Sequence, residues 1–206
     1  MSTAPRLTDR KREAIVQAAI AEFRQNGFET TSMDRIADTA CVSKRTVYNH
    51  FPSKDELFAE ILQQLWQRSG QEDELHFAPD VPLRTQLLSM LGHKLQVMSD
   101  DNFLDLARIV VAATIHSPER AQGMIARIAE KESSMVRWIE QAQAAGLLRP
   151  ADASIAAQQF HALVKAFAFW PQITLGMPVL TPEQQHVVAA SAVDMFLACY
   201  QIKPQA

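Results

Sequence analysis

The sequence predicts an all-α fold: an N-terminal three-helix unit built on a helix-turn-helix, residues 1–58, followed by a larger helical unit over 59–206. Three observations lead there. Residues 31–54, TSMDRIADTACVSKRTVYNHFPSK, read as two short helices joined by a tight turn, with a third helix starting at once. From Leu83 onward every segment spaces its apolar residues for a helix and gives few strand signals. Gly27, Pro52, Pro118, Gly146 and Pro171 fall where such helices start or stop.

The first helix runs from Thr8, which can cap it, through Asn26, with Ile15, Ala19 and Phe23 at i, i+4 and i+8 on its buried side. Gly27 stops it from the position after the C-cap, where glycine is enriched, and Phe28 plugs the small core. Arg6, Arg10, Lys11 and Arg12 at the start of the chain either brush a phosphate backbone or are simply solvated. Thr31 stands three residues before Asp34, so its hydroxyl is expected to cap the second helix while the carboxylate reaches back. Ile36, Ala37 and Ala40 share one face of that helix. Cys41 and Val42 make the turn, and Ser43 is a good N-cap for the third helix. There Val47 and Phe51, four apart, point inward, and Pro52 ends the segment.

Ser53 with Glu56 forms a capping box for a helix through Ser69, whose stripe of Leu57, Phe58, Ile61, Leu62, Leu65 and Trp66 suits it to link the two units. The acidic stretch GQEDELHFAPDVP, residues 70–82, is a connection. Helices are then expected over Leu83–Met98 and Phe103–His116, and from Pro118 to near Gly146, with proline at the first helical position. Asp152 caps a further helix that ends before Pro171; QITLGMPVLTP is a loop, and Glu183–Tyr200 is the last helix.

Composition narrows the possibilities. The 206 residues suffice for one large domain or two small ones, and 48% hydrophobic with 21% charged is ordinary for a globular chain. The net charge is −3, but residues 1–58 hold nine Lys/Arg against eight Asp/Glu, leaving eleven against fifteen elsewhere. A local basic face can therefore meet phosphates while the rest stays acidic. No apolar run is long enough to cross a bilayer and the start shows no signal-peptide pattern, so a cytoplasmic setting without membrane attachment is expected. Cys41 and Cys199 fit no metal or redox spacing; Cys41 is either a small buried residue or a redox switch. No phosphate loop, nucleophile elbow or His-Glu-x-x-His is present, so neither catalysis, nor a metal, nor a cofactor is expected.

The outer side of the second hairpin helix carries the chemistry. Arg45 and Asn49 lie opposite Val47 and Phe51, flanked by Thr46 and Tyr48. A guanidinium can donate two parallel bonds to guanine O6 and N7, and a side-chain amide can pair with adenine. The phenol of Tyr48, the imidazole of His50 and a lysine suit phosphate contacts, which position without reading sequence. The plainer reading is a helical hairpin with a solvated outer face.

The pattern GFETTSMDRIADTACVSKRTVYNHFPSKDELF, within a stretch from about Thr8 to Leu62, resembles the N-terminal DNA-binding domain of the TetR family of bacterial transcriptional regulators. The resemblance implies backbone contacts from Thr31, Ser32, Tyr48, His50 and Lys54, and base reading by Lys44, Arg45, Thr46 and Asn49. It implies a homodimer on a palindromic double-stranded operator, acting as a repressor that a small lipophilic or aromatic effector releases. Cys41 departs from the family's usual glycine, which implies a slightly different turn or a small strain. The chain after Phe103 resembles the AefR-like branch of the family. The rival reading is an all-helical ligand carrier or protein-interaction module, for which the outer face of the second hairpin helix would be apolar.

In the larger unit, Trp66, Phe103, Met124, Trp138, Phe160, Phe167 and Trp170 either line an effector cavity, with Arg108, His116 and His161 as its polar points, or are packed core. The last two helices are apolar over more than one stripe, so each needs two partners. Pairing with their copies in a second subunit, through Phe160, Val164, Phe167, Val188, Ala192 and Phe196, meets that need as a four-helix bundle.

Overall fold

The computed structural model describes the backbone of residues 7–69, 76–115 and 117–202, and the side chains of these except at residues 7, 66–69, 120 and 123–133. Among them lie ten helices: α1 (Leu7–Asn26), α2 (Met33–Thr39), α3 (Lys44–His50), α4 (Lys54–Ser69), α5 (Leu83–Met98), α6 (Asp101–Ile115), α7 (Pro118–Ala144), α8 (Ala153–Ala168), α9 (Trp170–Thr174) and α10 (Pro182–Tyr200). The only extended pairing among the described residues is an isolated antiparallel bridge between Leu148 and Gln201. The all-α expectation holds.

The chain divides into two compact units, Met1–Gln67 with Asp105–Met124, and Arg68–Leu104 with Ile125–Ala206. In the first, α1, α2 and α3 pack against one another. The spacing that predicts α1 is the spacing that buries it, since Ile15, Ala19 and Phe23 are all enclosed. Phe28, just past the left-handed Gly27, sets its ring 5.0 Å from Phe23 and 5.1 Å edge-on from Phe58. Each such ring is worth about 1.5–3 kcal/mol of apolar burial.

In the second unit α10 packs on α5 and α8, and α9 on α8. Leu87, Leu91 and Leu95, four apart on α5, are buried, as are Met135, Trp138, Ile139 and Ala142 of α7. One expectation is corrected between Ala168 and Thr174. The helix capped by Asp152 stops at Ala168, Phe169 leaves helical geometry at φ −133° and ψ −63°, and a new helix begins with Pro171 in its first turn. A proline lacks only an amide that the first turn leaves unpaired anyway, so it starts a helix as readily as it ends one. Thr181 and Gln184 cap α10 reciprocally, a box spelled in the sequence as TPEQ.

The subunit-pairing stripe is corrected as well. Phe160, Val164, Ala192 and Phe196 are enclosed within their own unit, Phe160 edge-on to Phe196 at 4.9 Å. These inner stripes satisfy each other in one chain. Val188 is half-buried and Phe167 exposed; the apolar residues left on the outer side are Ile155 and Phe167 of α8 and Val187 and Met195 of α10.

Candidate nucleic-acid interface

The hairpin α2–α3 is fixed at every corner. Ser32, extended at φ −103° and ψ 154°, caps α2 by accepting from the Arg35 amide at 3.2 Å. The cap expected at Thr31 is thus one residue later. Thr31 is buried instead, its hydroxyl donating to the Gly27 carbonyl at 2.8 Å and facing the Glu22 carbonyl at 3.3 Å. A side chain so engaged is not available to a phosphate.

The turn closes by two bonds, Cys41 amide to Asp38 carbonyl and Val42 amide to Ala37 carbonyl, both 3.1 Å. That pair defines a Schellman ending, with Cys41 in the left-handed place that glycine prefers, at φ 53°. The turn is therefore the ordinary one under strain, with Cys41 exposed rather than buried. Ser43 then caps α3 by accepting from the Thr46 amide at 3.1 Å. Val47 and Phe51 anchor its inner face.

Three side-chain clusters hold this hairpin against its neighbours, and the helical periodicity gave no sign of them. Glu22 of α1, nearly buried, accepts from Thr39 at 2.7 Å and Asn26 at 2.8 Å and lies 3.5 Å from Arg35. Arg12 of α1 donates to Glu60 of α4 at 2.6 Å and lies 4.9 Å over the Phe51 ring at the end of α3. Lys54 opens α4 and turns its ammonium onto the carbonyls of Phe28, Glu29 and Thr31, at 2.7, 3.1 and 3.0 Å, with the Phe28 ring 4.5 Å away. An ammonium has three protons, and three carbonyls take them. Lys54 fastens the α1–α2 turn to α4.

What remains outward on α3 differs residue by residue. Lys44 pairs with Asp34 at 2.6 Å, a bond that raises its pKa. The Thr46 hydroxyl shares a 2.8 Å bond with Ser43. Tyr48 and Asn49 are exposed, Arg45 is exposed and His50 half-buried. Arg45 and Asn49, four apart and so on one face, carry their full donor sets into solvent.

The residues expected around an effector are not gathered in the same way. Phe103, Trp138, Phe160 and His161 are buried in the second unit, whereas Phe167 and Trp170 are exposed. Arg108 belongs to the first unit and donates to Asp105 at 2.7 Å, whose other oxygen takes Arg24 at 2.5 Å. The side chains of Trp66 and Met124, and all of His116, lie outside the described residues. Sequence reasoning missed Phe169, with Phe103 at 6.2 Å and Trp170 at 5.1 Å, because it sits at the unforeseen break after α8. Among the described residues no cluster of His, Cys, Asp or Glu could hold a metal, and no helix is long and apolar enough to cross a membrane.

A short helix anchored by Val47 and Phe51, with Arg45, Tyr48 and Asn49 left exposed, has the form of the second helix of a helix-turn-helix. Comparison with known proteins gives the family. Residues 15–61 match the bacterial regulatory proteins of the tetR family, and residues 85–202 the C-terminal domain of AefR-like transcriptional repressors. The chain belongs to the TetR family of DNA-binding transcriptional regulators. It is 57% identical to a TetR family transcriptional regulator from Pseudomonas syringae pv. tomato str. DC3000, covering 96% of this chain and 100% of that one at a TM-score of 0.86. It is 30% identical to the flavonoid-responsive regulator FrrA, covering 96% of this chain and 100% of that one at a TM-score of 0.75. It is also 29% identical over 153 residues, 71% of this chain and 68% of the other, to the transcriptional regulator RutR of Escherichia coli K12.

Proposed function

We propose that this regulator is a repressor that binds a palindromic operator as a homodimer, and that a small lipophilic or aromatic effector releases it. The observation that carries the reading is the exposed pair Arg45 and Asn49, on one face of a helix where Lys44 and Thr46 are already paired. In this reading Arg45 and Asn49 take base edges and Lys44 exchanges Asp34 for the duplex. Thr46 assists them, and Ser32, Tyr48 and His50 meet phosphates. Residues 1–58 read DNA, and residues 59–206 hold the effector and the partner subunit. Lys54 serves the interface by holding its backbone rather than by touching DNA.

Two heads are needed because a single seven-residue helix reads few base pairs, and two heads about 34–36 Å apart read one palindrome. Ile155, Phe167, Val187 and Met195 are the apolar surface that a second copy would cover. The response of FrrA to flavonoids supports a planar aromatic effector here. An effector can act only through different affinities for two states of the dimer. The protein works in the cytoplasm and by binding, without catalysis. Footprinting on promoter-proximal DNA, repeated over a panel of lipophilic and aromatic compounds, tests the whole reading; a purified protein with no preference for any double-stranded sequence at moderate salt would overturn it.

A further inference from the structure

Gln86 of α5 uses both ends of its amide on one short segment. Its Oε1 accepts from the Ala78 amide at 3.1 Å and from the Trp138 indole at 3.0 Å. Its Nε2 donates to the carbonyls of Ala78 and Val81, at 2.8 and 2.6 Å. Four bonds exhaust what an amide side chain offers in two donors and an acceptor oxygen. The segment Phe77–Pro82 is otherwise irregular, with a turn closed by the Val81 amide on the Ala78 carbonyl at 3.1 Å. Phe77 lays its ring edge-on against Trp138 at 5.9 Å. Trp138 is fully buried, although Phe77, Ala78 and Gln86 around it are only half-buried and Asp80 and Val81 are exposed. A thin layer of chain thus separates the largest enclosed side chain among the described residues of this unit from water.

We propose that Phe77–Pro82 is a strap over Trp138, that Gln86 is its latch, and that releasing the latch admits small aromatic molecules to the indole. The latch and the seat are one chemical group. When Gln86 lets go of Ala78 and Val81, its carbonyl and amide face the space that Phe77 vacates. A planar ring bearing a hydroxyl or carbonyl would then replace the Phe77 edge against Trp138 and take over the freed amide bonds. Local opening of irregular segments is the low-energy end of native-state motion, so the gate needs no unfolding of α5 or α7. The aromatic occupant rests on the effector reading above; the strap and its latch do not.

The test begins without effector. In a Trp66→Phe, Trp170→Phe background Trp138 is the one tryptophan, and its fluorescence should resist acrylamide. Gln86→Ala should raise the quenching constant roughly threefold or more and speed amide exchange at Ala78 about tenfold, with α5 amides unchanged. Phe77→Leu, which keeps the apolar volume but not the ring, should raise quenching with the Ala78 amide still protected. Quenching and exchange at the starting protein's level in a folded Gln86→Ala variant would overturn the strap. A second arm adds the flavonoid quercetin: its association should be faster with Gln86→Ala than with the starting protein, and equal rates would overturn the gate. If quercetin binds neither protein while acrylamide reaches Trp138 only in the variant, the strap stands and the aromatic effector reading falls.

Discussion

Cys41 ends α2 as Gly146 ends α7. Both take the left-handed backbone, at φ 53° and φ 71°, and in both cases the following amide reaches the carbonyl five residues back, Val42 to Ala37 at 3.1 Å and Leu147 to Ala142 at 3.0 Å. Glycine takes that conformation freely, whereas a residue with a Cβ is strained in it by about 1–2 kcal/mol. The reading hairpin therefore turns on a strained residue where α7 turns on an unstrained one.

Replacing Cys41 with glycine should stabilise the protein. The relieved strain is partly offset by the larger conformational freedom of glycine in the unfolded chain, so the net gain should be about 0.5–1 kcal/mol. Cys41→Ala keeps the Cβ and should gain nothing. Urea unfolding reads both: a higher midpoint at constant slope for Cys41→Gly alone. A midpoint at or below that of the unaltered protein would dispose of the strain.

The clamp role of Lys54 makes a prediction that one substitution separates from a phosphate contact. Lys54→Met removes an ammonium bound to three carbonyls and keeps the stem that packs near Phe28. As a clamp, its loss should lower stability by about 2–3 kcal/mol and leave the salt dependence of DNA binding unaltered. As a phosphate contact, its loss should spare stability and lower the salt slope by about one. Urea unfolding and binding isotherms at several salt concentrations, on the same sample, decide it.

The lysine shows where the sequence could be read and where it could not. Helices, their caps at Ser43, Ser53 and Asp152, and the stop at Gly27 follow from local rules that act within four or five residues. The exposed face of α3 was legible for the same reason, since a helix places residues by spacing alone. The left-handed demand at position 41 comes from the family resemblance instead, as a departure from its usual glycine, and Cys41 meets it at φ 53°. What the sequence hid is long-range. Arg12 meets Glu60 and Phe51, Lys54 meets Phe28 and Thr31, and Gln86 meets Trp138, over separations that no period encodes. A cation beside a hairpin looks like a phosphate contact whichever way it points. The same blindness affected α8 and α10: two apolar stripes are visible on each, but which one closes inside the chain, through Phe160 and Phe196, is a tertiary choice.

Base reading and phosphate contact on α3 should separate in their specificity. Arg45→Ala or Asn49→Ala should cost about 1–3 kcal/mol on the preferred operator and relax preference at particular base pairs. Tyr48→Phe, which removes only an exposed hydroxyl, should weaken binding to all sequences alike. Binding to a library of operator variants gives both outcomes in one measurement. If affinity is untouched by all three changes, the outward side of α3 is not the surface that meets DNA.

The ion pair between Arg12 and Glu60 should make the stability of the reading unit depend on acid. The bond from the Arg12 guanidinium holds the Glu60 carboxyl below its ordinary value of 4.5. A carboxyl whose folded value is depressed binds its proton more weakly folded than unfolded. Its contribution is therefore complete above about pH 5 and is lost as the pH falls through the lower folded value. Arg12 is 43% exposed, so solvent screening limits the contribution to less than about 1 kcal/mol. Glu60→Gln keeps the shape and removes the charge. It should be less stable than the unaltered protein around pH 7, and the gap should narrow as the pH falls below 4.5, the carboxyl's ordinary value. Urea midpoints for both proteins across that range measure the gap, and one that stayed constant with pH would mean that the carboxylate holds Arg12 by packing alone, with the Phe51 stack at 4.9 Å as the contact that fixes the end of α3.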